Sequence, residues 1–271
     1  MYPFKVNGNR DFPSVEGPHV SSPAIHKIVA EHVTKDFGED GSNQTPAITD
    51  VSFAVDTNEF VTIVGRTGCG KSTMLNIVAG LLSPSAGSVT IDGVPVSGPG
   101  LDRGMVFQQA SLFPWLTTIQ NVEFGPANNG MRKDERRRLA QSLIELVRLE
   151  GFENKYPREL SGGMQQRVAI ARALAVDPEI LLMDEPFGAL DQLTREDMQR
   201  ELLRIWQQNR KTVVFVTHSI TEAVYLSDRV LVFGHHPGYI RKELSIDLLR
   251  PRNEASKEFM EYYEAIYTSL D

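Results

Sequence analysis

The sequence predicts an α/β protein with a largely parallel β-sheet. From about residue 161 onward, short apolar runs alternate with longer segments whose apolar residues recur at helical spacing. Two of these runs, 180–183 and 213–216, are apolar on both faces, as expected of strands covered by helices on both sides. Hydrophobic residues make up 41% of the chain and charged residues 23%, which is close to the average of globular proteins.

The first half of the chain is predicted to contain a tail followed by β-rich segments. Residues 1–24 contain several prolines and glycines without sustained periodicity, so we expect a flexible tail and a folded part that begins near Ile25. Gly, Asp and Asn residues separate the β-rich runs that follow, which are residues 25–33, 48–55, 60–64 and 88–91. One helix is predicted directly after the third run.

The second half alternates helices with strands. Apolar side chains on one face predict a helix over 132–148, namely Leu139, Leu143, Leu146 and Val147. The predicted elements after it are helix 161–176, strand 180–183, helix 193–208, strand 212–216, helix 219–226 and strand 229–233. Ser161 is expected to cap its helix, and Ser219 is expected to form a capping box with Glu222. Four aromatic residues indicate a last amphipathic helix that packs against the body: Phe259, Tyr262, Tyr263 and Tyr267.

Charge and composition exclude several classes of protein. The formal net charge of −7 argues against nucleic acid as the main partner, and acidic residues interrupt the basic segment 132–138, which we interpret as a solvated helix face. No apolar run approaches the roughly 18 residues that cross a bilayer, and the N-terminal residues are not expected to be a secretory signal. Cys69 is the single cysteine, so no internal disulfide can form, and a reducing compartment is favoured.

The segment from Gly65 to Ser72 carries the strongest chemical signal. It matches the pattern G-x-x-x-x-G-K-[ST] between an apolar strand and a helix, where backbone amides and the helix dipole bind phosphates. Lys71 is expected to neutralise the β- and γ-phosphates, and Ser72 to place its hydroxyl on Mg²⁺. The predicted nucleotide-binding residues here are Gly65, Arg66, Thr67, Gly68, Cys69, Gly70, Lys71, Ser72 and Thr73. The alternatives are a glycine-rich turn without a ligand and, for Cys69, a redox sensor instead of a small tolerated residue.

A nucleotide site also needs an acidic element, and the strand 180–183 ends in one. Asp184 at the strand tip is expected to hold Mg²⁺ through water, and Glu185 to polarise the attacking water. A buried strand that merely ends in solvated acids is the alternative.

The segment from Leu160 to Arg167 resembles the signature motif of the ATP-binding-cassette (ABC) family, with Met164 where the commonest form has Gln. Residues at a helix start form a second phosphate-binding cap there, and ordinary helix capping is the alternative. In the family this cap covers the γ-phosphate bound by the opposite subunit. The resemblance therefore implies a dimer that holds two ATP molecules and uses Ser161, Gly162, Gly163 and Gln165.

The resemblance extends over most of residues 25–240 and implies further roles. Gln108 matches the glutamine that senses Mg²⁺ and water, although Gln109 adjoins it. Asp191 matches a residue of the loop that touches the opposite subunit. His218 matches the switch histidine, which contacts the γ-phosphate. Phe37 matches the aromatic residue that stacks on adenine, and the long loop 39–46 after it has no assigned role. The implied fold is a P-loop NTPase (RecA-like) core with a largely parallel sheet and an antiparallel β subdomain. An α-helical subdomain at about 109–165 is inserted, all within a nucleotide-binding domain of residues 25–271.

The resemblance also implies a biological role. The block 216–230, the segment 236–240 and the run 185–191 are similar to the nitrate, sulfonate and taurine importer branch. Its members pair with a second ATPase subunit, identical or paralogous, and an integral membrane permease at the cytoplasmic face of the inner membrane. A periplasmic or lipid-anchored substrate-binding protein takes part indirectly.

The expected function is ATP hydrolysis that drives import of a small anion, such as nitrate, nitrite, an alkanesulfonate or taurine. We expect the segment 111–116 to lie near a groove for the permease, with internal packing as the alternative. Two other functions stay open: a soluble ABC ATPase acting on nucleic acid, ribosomes or Fe–S assembly, and a small-molecule P-loop kinase. The kinase should lack residues 160–166 and His218.

Overall fold

The computed structural model describes residues 26–38, 46–188, 190–208 and 210–270. The predicted tail and Ile25 lie outside the described residues, as does the loop 39–46 apart from Pro46. The strands are β1 (Ile28–Lys35), β2 (Ile48–Val55), β3 (Phe60–Val64), β4 (Ala86–Ile91), β5 (Val94–Pro95), β6 (Arg103–Val106), β7 (Ile180–Asp184), β8 (Thr212–Thr217), β9 (Arg229–Gly234) and β10 (Tyr239–Ser245). The helices are α1 (Lys71–Val78), α2 (Thr118–Asn128), α3 (Lys133–Leu146), α4 (Gly162–Leu174), α5 (Gln192–Gln208), α6 (Ile220–Leu226) and α7 (Lys257–Leu270), with a 3₁₀ turn at Pro157–Glu159.

Two sheets organise these elements. The larger has the order β10-β9-β3-β8-β7-β6, and its neighbours are parallel except for β10, which runs antiparallel to β9. The smaller sheet has the order β2-β1-β4-β5 and is antiparallel. The predicted α/β class, with a largely parallel core sheet and an antiparallel β subdomain, is confirmed.

The larger sheet is buried on both faces, which explains why β3, β7 and β8 are mostly apolar. Phe60, Val64 and Phe215 face a core formed with α4, α5, α6 and α7. Val61 and Ile63 face the opposite core, where α1 and the antiparallel sheet cover them. Because this burial fixes the strands, the loops at their carboxyl ends are held on a rigid platform.

The helices between β6 and β7 have a separate small core. Ile119, Val122, Ile144 and Val168 are buried there, on α2, α3 and α4. The predicted subdomain boundaries near 109 and 165 stay a prediction, since α4 also packs on β6 of the larger sheet. Across the described residues, no helix combines the length and apolar character needed to cross a membrane.

Four strands and helices were not predicted from the sequence, namely β5, β6, α2 and β10. Strand β6 contains Arg103 and Gly104, and helix α2 contains Gly125 and Pro126, so neither shows the usual pattern of its class. Strand β10 lies at an exposed edge and is mostly polar. The predicted terminal helix is confirmed as α7, which buries Phe259 and Ile266 against the body.

Candidate active site

The phosphate loop connects β3 to α1 through backbone conformations that favour glycine. Gly68 and Gly70 have φ of +81° and +92°. A Cβ on Gly70 would lie 2.3 Å from Ile48 Cγ2, so the loop packs directly on the start of β2. The first amides of α1, which follow the loop, are therefore held at a fixed position, where the helix dipole favours an anion.

Lys71 is buried, and its ammonium points back into the loop. Its Nζ donates hydrogen bonds of 3.0 Å to the carbonyl oxygens of Gly65 and Arg66 and lies 3.7 Å from Glu185 Oε1. Arg66 and Thr67 are exposed at the loop tip, and Thr73 is half-buried in the first turn of α1. The cation thus lies between the loop carbonyls and the acidic end of β7.

Cys69 fills space inside the loop. Its side chain is 1% exposed, and a Cβ on Gly65 would lie 2.7 Å from its Sγ. Burial raises the pKa of the Cys69 thiol, so the reactive thiolate is disfavoured. These observations favour a packing role over the redox alternative.

The carboxylate at the end of β7 faces the first turn of α1. Ser72 Oγ donates a 2.8 Å hydrogen bond to Asp184 Oδ1. Burial, together with the neighbouring charge of Glu185, raises the pKa of Asp184, although the hydrogen bond from Ser72 opposes this shift. A hydroxyl beside a carboxylate supplies the oxygen ligands that Mg²⁺ prefers, so the residues present fit this ion.

Glu185 and His218 form a pair at the ends of β7 and β8. Glu185 Oε2 lies 2.8 Å from His218 Nδ1, and the Glu185 amide donates to the Val216 carbonyl at 2.9 Å. Glu185 has φ of +41°, a conformation that few non-glycine residues adopt. Such strain is commonly found where a functional side chain must point in a required direction.

The signature segment is built around the start of α4. Ser161 Oγ accepts a 3.3 Å hydrogen bond from the Met164 amide, which confirms the predicted cap. A Cβ on Gly163 would lie 3.2 Å from Leu190 Cδ2, whereas one on Gly162 would meet nothing within 4 Å. Gln165 Nε2 donates to the carbonyls of Pro157 and Leu160, at 2.9 and 3.2 Å, so this amide holds the turn that enters the helix.

Asp191 lies at the start of α5, beside the signature helix. Its Oδ1 accepts a 3.1 Å hydrogen bond from the Thr194 amide. Hydrogen bonds from Thr194 hold the pKa of Asp191 below its usual value. The structure therefore gives Asp191 a capping function within its own chain.

The two remaining predicted residues lie at the edges of the site. Gln108 is exposed, two residues after the end of β6. Phe37 is 59% exposed, with Lys35 Nζ 5.3 Å from its ring centroid, and the carbonyl of Lys35 accepts a 2.8 Å hydrogen bond from the Ala47 amide. Ala47, which is hydrogen-bonded to Lys35 near the ring, also lies against Gly70 of the phosphate loop. The segment that carries Phe37 is therefore packed beside this loop.

Sequence reasoning missed two supporting residues. Gln166, which is buried, donates from Nε2 to the Phe107 carbonyl at 3.1 Å and so fixes the chain beside Gln108. Gly238 lies against the phosphate loop, because a Cβ there would be 2.1 Å from the Cys69 carbonyl oxygen. A Pro-Gly pair is a usual turn signal, so Pro237-Gly238 could have been predicted as a turn, but nothing in the sequence shows what this turn contacts.

The predicted capping box at α6 is only half right. Ser219 Oγ accepts from the Glu222 amide at 3.3 Å, as expected. The Glu222 carboxylate, however, accepts a hydrogen bond from Thr217 Oγ1, and that same Oγ1 accepts from the Ser219 amide at 3.0 Å. The threonine hydroxyl therefore occupies the position that the glutamate was expected to take.

Together, the phosphate loop, the buried lysine and the acidic strand end define a P-loop nucleotide-hydrolysing protein. The sequence profile of the family described as ABC transporter matches residues 48–188. The chain belongs to this family of ATP-binding proteins, whose members hydrolyse ATP to power transport.

Three relatives illustrate the similarity. An uncharacterized ABC transporter ATP-binding protein of Methanocaldococcus jannaschii is 54% identical over 90% of this chain and 91% of its own length. A taurine import ATP-binding protein of Yersinia pestis is 50% identical over 74% of this chain and 79% of its own. A nitrate import ATP-binding protein of Synechocystis is 48% identical over 83% of this chain and 88% of its own.

Solved structures agree with the fold. A dimeric ATP-binding cassette in a post-hydrolysis state with ADP and Pi is 37% identical, with a TM-score of 0.72 over 82% of this chain and all of the other. A cassette from a Clostridium perfringens ABC transporter complex is 25% identical, with a TM-score of 0.74 over 90% of this chain and 94% of the other. The expected P-loop NTPase core is thus confirmed.

Proposed function

We propose that this chain is the ATP-hydrolysing subunit of an importer for a small anion, such as nitrate, nitrite, an alkanesulfonate or taurine. One observation carries the catalytic part: Lys71, the Ser72–Asp184 pair and the Glu185–His218 pair meet at the carboxyl edge of the larger sheet. Relatives named as taurine and nitrate import proteins support import. They also make the soluble ABC ATPase a less favoured alternative.

The site residues divide the work of hydrolysis. The loop amides, from Gly65 to Thr73, and the Lys71 ammonium bind the phosphates, and the exposed Phe37 ring stacks on adenine. Ser72, Asp184 and Gln108 are the candidate Mg²⁺ ligands, directly or through water; when bound, this ion neutralises phosphate charge.

Glu185 orients and deprotonates the attacking water. His218, which lies 2.8 Å from Glu185 Oε2, fixes the direction of that carboxylate and reaches toward the γ-phosphate.

A second cassette, identical or paralogous, completes the site. The signature residues Ser161, Gly162, Gly163 and Gln165, together with Asp191, are proposed to act on the nucleotide of the opposite subunit. Ser161 and Gly162 are exposed at the start of α4, where an anion is favoured. The dimeric form of a solved relative supports this arrangement.

The permease is proposed to dock on the aromatic surface, defined as Phe113, Trp115 and Phe124. Phe113 is the centre of this group, with ring centroids 4.3 Å from Phe124 and 5.7 Å from Trp115. Trp115 is 69% exposed, whereas Leu112 packs on the buried core, so part of the segment 111–116 is internal and part is available. Docking there would place the chain at the cytoplasmic face of the membrane, with a substrate-binding protein on the other side.

Replacing the proposed base tests the catalytic assignment. Glu185→Gln should bind a fluorescent ATP analogue as wild type does, dimerise with ATP, and hydrolyse it about 100-fold more slowly or worse. Glu201→Gln is the matched control, because Glu201 is a buried glutamate within α5 whose carboxylate pairs with Arg204. Wild-type turnover by Glu185→Gln would refute the base.

Purification tests the biological role. The proposal expects the tagged full chain to co-purify from detergent extracts with an integral membrane protein, and the complex in vesicles to take up nitrate or taurine when ATP is supplied. Association with ribosomes or nucleic acid, without a membrane protein, would instead support the soluble alternative.

A further inference from the structure

A buried carboxylate accepts a hydrogen bond from the residue that precedes His218. Glu222, in the first turn of α6, is 4% exposed, and burial raises the pKa of its carboxyl group. A buried carboxylate is an unfavourable choice for stability compared with an apolar residue of similar size. We therefore expect Glu222 to have a role other than stability, and its hydrogen-bond partners indicate which one.

One side of Glu222 holds the chain around His218. Oε2 accepts a hydrogen bond from Thr217 Oγ1, and this hydroxyl in turn accepts from the Ser219 amide at 3.0 Å. The residues before and after His218 are thereby fixed to one carboxylate. Since His218 Nδ1 lies 2.8 Å from Glu185 Oε2, the same contacts determine where the imidazole meets Glu185.

The other side of Glu222 faces α5, which contacts the segment that follows Glu185. Oε1 accepts from Gln199 Nε2 at 3.3 Å and lies 3.9 Å from Arg195 Nε. Arg195 also donates to the carbonyls of Phe187, at 3.3 Å, and Leu190, at 3.0 Å. Both strand-end segments of the site therefore converge on one buried group.

We propose that Glu222 is a positioning residue for ATP hydrolysis. It acts through Thr217 to hold His218 against Glu185. Through Arg195 it links that pair to the carbonyls of Phe187 and Leu190, shortly before Asp191. This inference rests on the proposed roles of Glu185 and His218, and it assigns a function to a residue whose sequence context indicated only helix capping.

The test compares turnover, binding and folding. Glu222→Gln should lower kcat roughly tenfold or more, because small displacements of catalytic groups are costly, and should leave KM for MgATP within about twofold. Thr217→Val, which removes only the connecting hydroxyl, should do the same with an intact fold. Glu201→Gln, on the same helix as Arg195 and Gln199, should keep wild-type kcat.

A double variant separates positioning from a purely structural role. If Glu222 acts through His218, adding Glu222→Gln to His218→Ala should cause less than about twofold further loss of kcat. A full further loss in the double variant, or wild-type kcat in both Glu222→Gln and Thr217→Val, would overturn the inference. Wild-type kcat in His218→Ala would instead refute the proposed role of His218 itself.

Discussion

Replacing Gly238 with alanine should disturb the phosphate loop from outside it. Gly238 donates to the Ala47 carbonyl at 3.0 Å and accepts from the Thr49 amide at 2.8 Å, so the turn is tied to the start of β2. An added Cβ would lie 2.1 Å from the Cys69 carbonyl oxygen and 3.1 Å from that of Ala47. Both neighbours are backbone atoms, so the turn or the loop must move by about 1 Å.

The structure sets the size of this effect. Overpacking at a rigid site costs about 1–3 kcal/mol, and each weakened backbone hydrogen bond adds about 1 kcal/mol. We therefore expect Gly238→Ala to lower the free energy of unfolding by about 2–4 kcal/mol. If about 1.4 kcal/mol of this distortion falls on the phosphate loop, the Kd for ATP rises about tenfold.

Urea unfolding and titration with a fluorescent ATP analogue measure the two effects. Gly98→Ala is the matched control, because a Cβ at Gly98 would meet nothing within 4 Å. The control should change stability by less than about 0.5 kcal/mol. If Gly238→Ala matched the control in both stability and ATP affinity, the proposed support of the loop would be wrong.

Three further predictions concern other parts of the chain. Arg252→Met should lower the unfolding free energy by about 3–5 kcal/mol, because the buried guanidinium satisfies several backbone carbonyls that methionine cannot reach. Burial lowers the pKa of Arg252 to about 10. The carbonyls that accept its hydrogen bonds are those of Val224, Tyr225, Ser227, Ile246 and Leu248. Urea unfolding checks this, and a loss no larger than that of the exposed Arg241→Met would contradict it. Burial also raises the pKa of Glu222 above the ordinary 4.5. Between the pKa of the unfolded chain and that of the folded protein, the folded protein retains a proton that the unfolded chain has lost. The contribution of Glu222 to stability therefore falls as the pH rises from the lower pKa to the higher one. The unfolding free energy of wild type minus that of Glu222→Gln should therefore decrease as the pH rises above about 4.5, and a constant difference would disprove the shift. Trp115→Asp should retain basal ATPase activity and lose transport-coupled activity in the permease complex; unchanged coupling would exclude Trp115 from the docking surface.

The sequence was most informative where burial and chemistry coincide. Strands β3, β7 and β8 are apolar on both faces, so they were predictable, and the residues that follow them had to meet at one edge. That Lys71, Asp184, Glu185 and His218 lie close together was therefore predictable from their positions as well as from the motifs.

What sequence reasoning missed depends on tertiary contacts. Strand β6 pairs with β7 despite Arg103 and Gly104, because Gly104 lets the chain approach Pro178, 2.9 Å from the position of a Cβ. Two adjacent glutamines in α4 point to different partners, Gln165 to the preceding turn and Gln166 to the Phe107 carbonyl. No local pattern distinguishes such neighbours, since the partner lies in another part of the chain.

The single cysteine has an experimental consequence. Cys69 is enclosed between Gly65 and the Gly238 turn, so a thiol reagent can reach it only when the phosphate loop opens. When opening is rapid compared with labelling, the labelling rate measures the fraction of molecules in the open state. The wild-type chain thus carries its own probe of local opening at the nucleotide site, and the slowing of labelling by added ATP reports how strongly the ligand closes the loop.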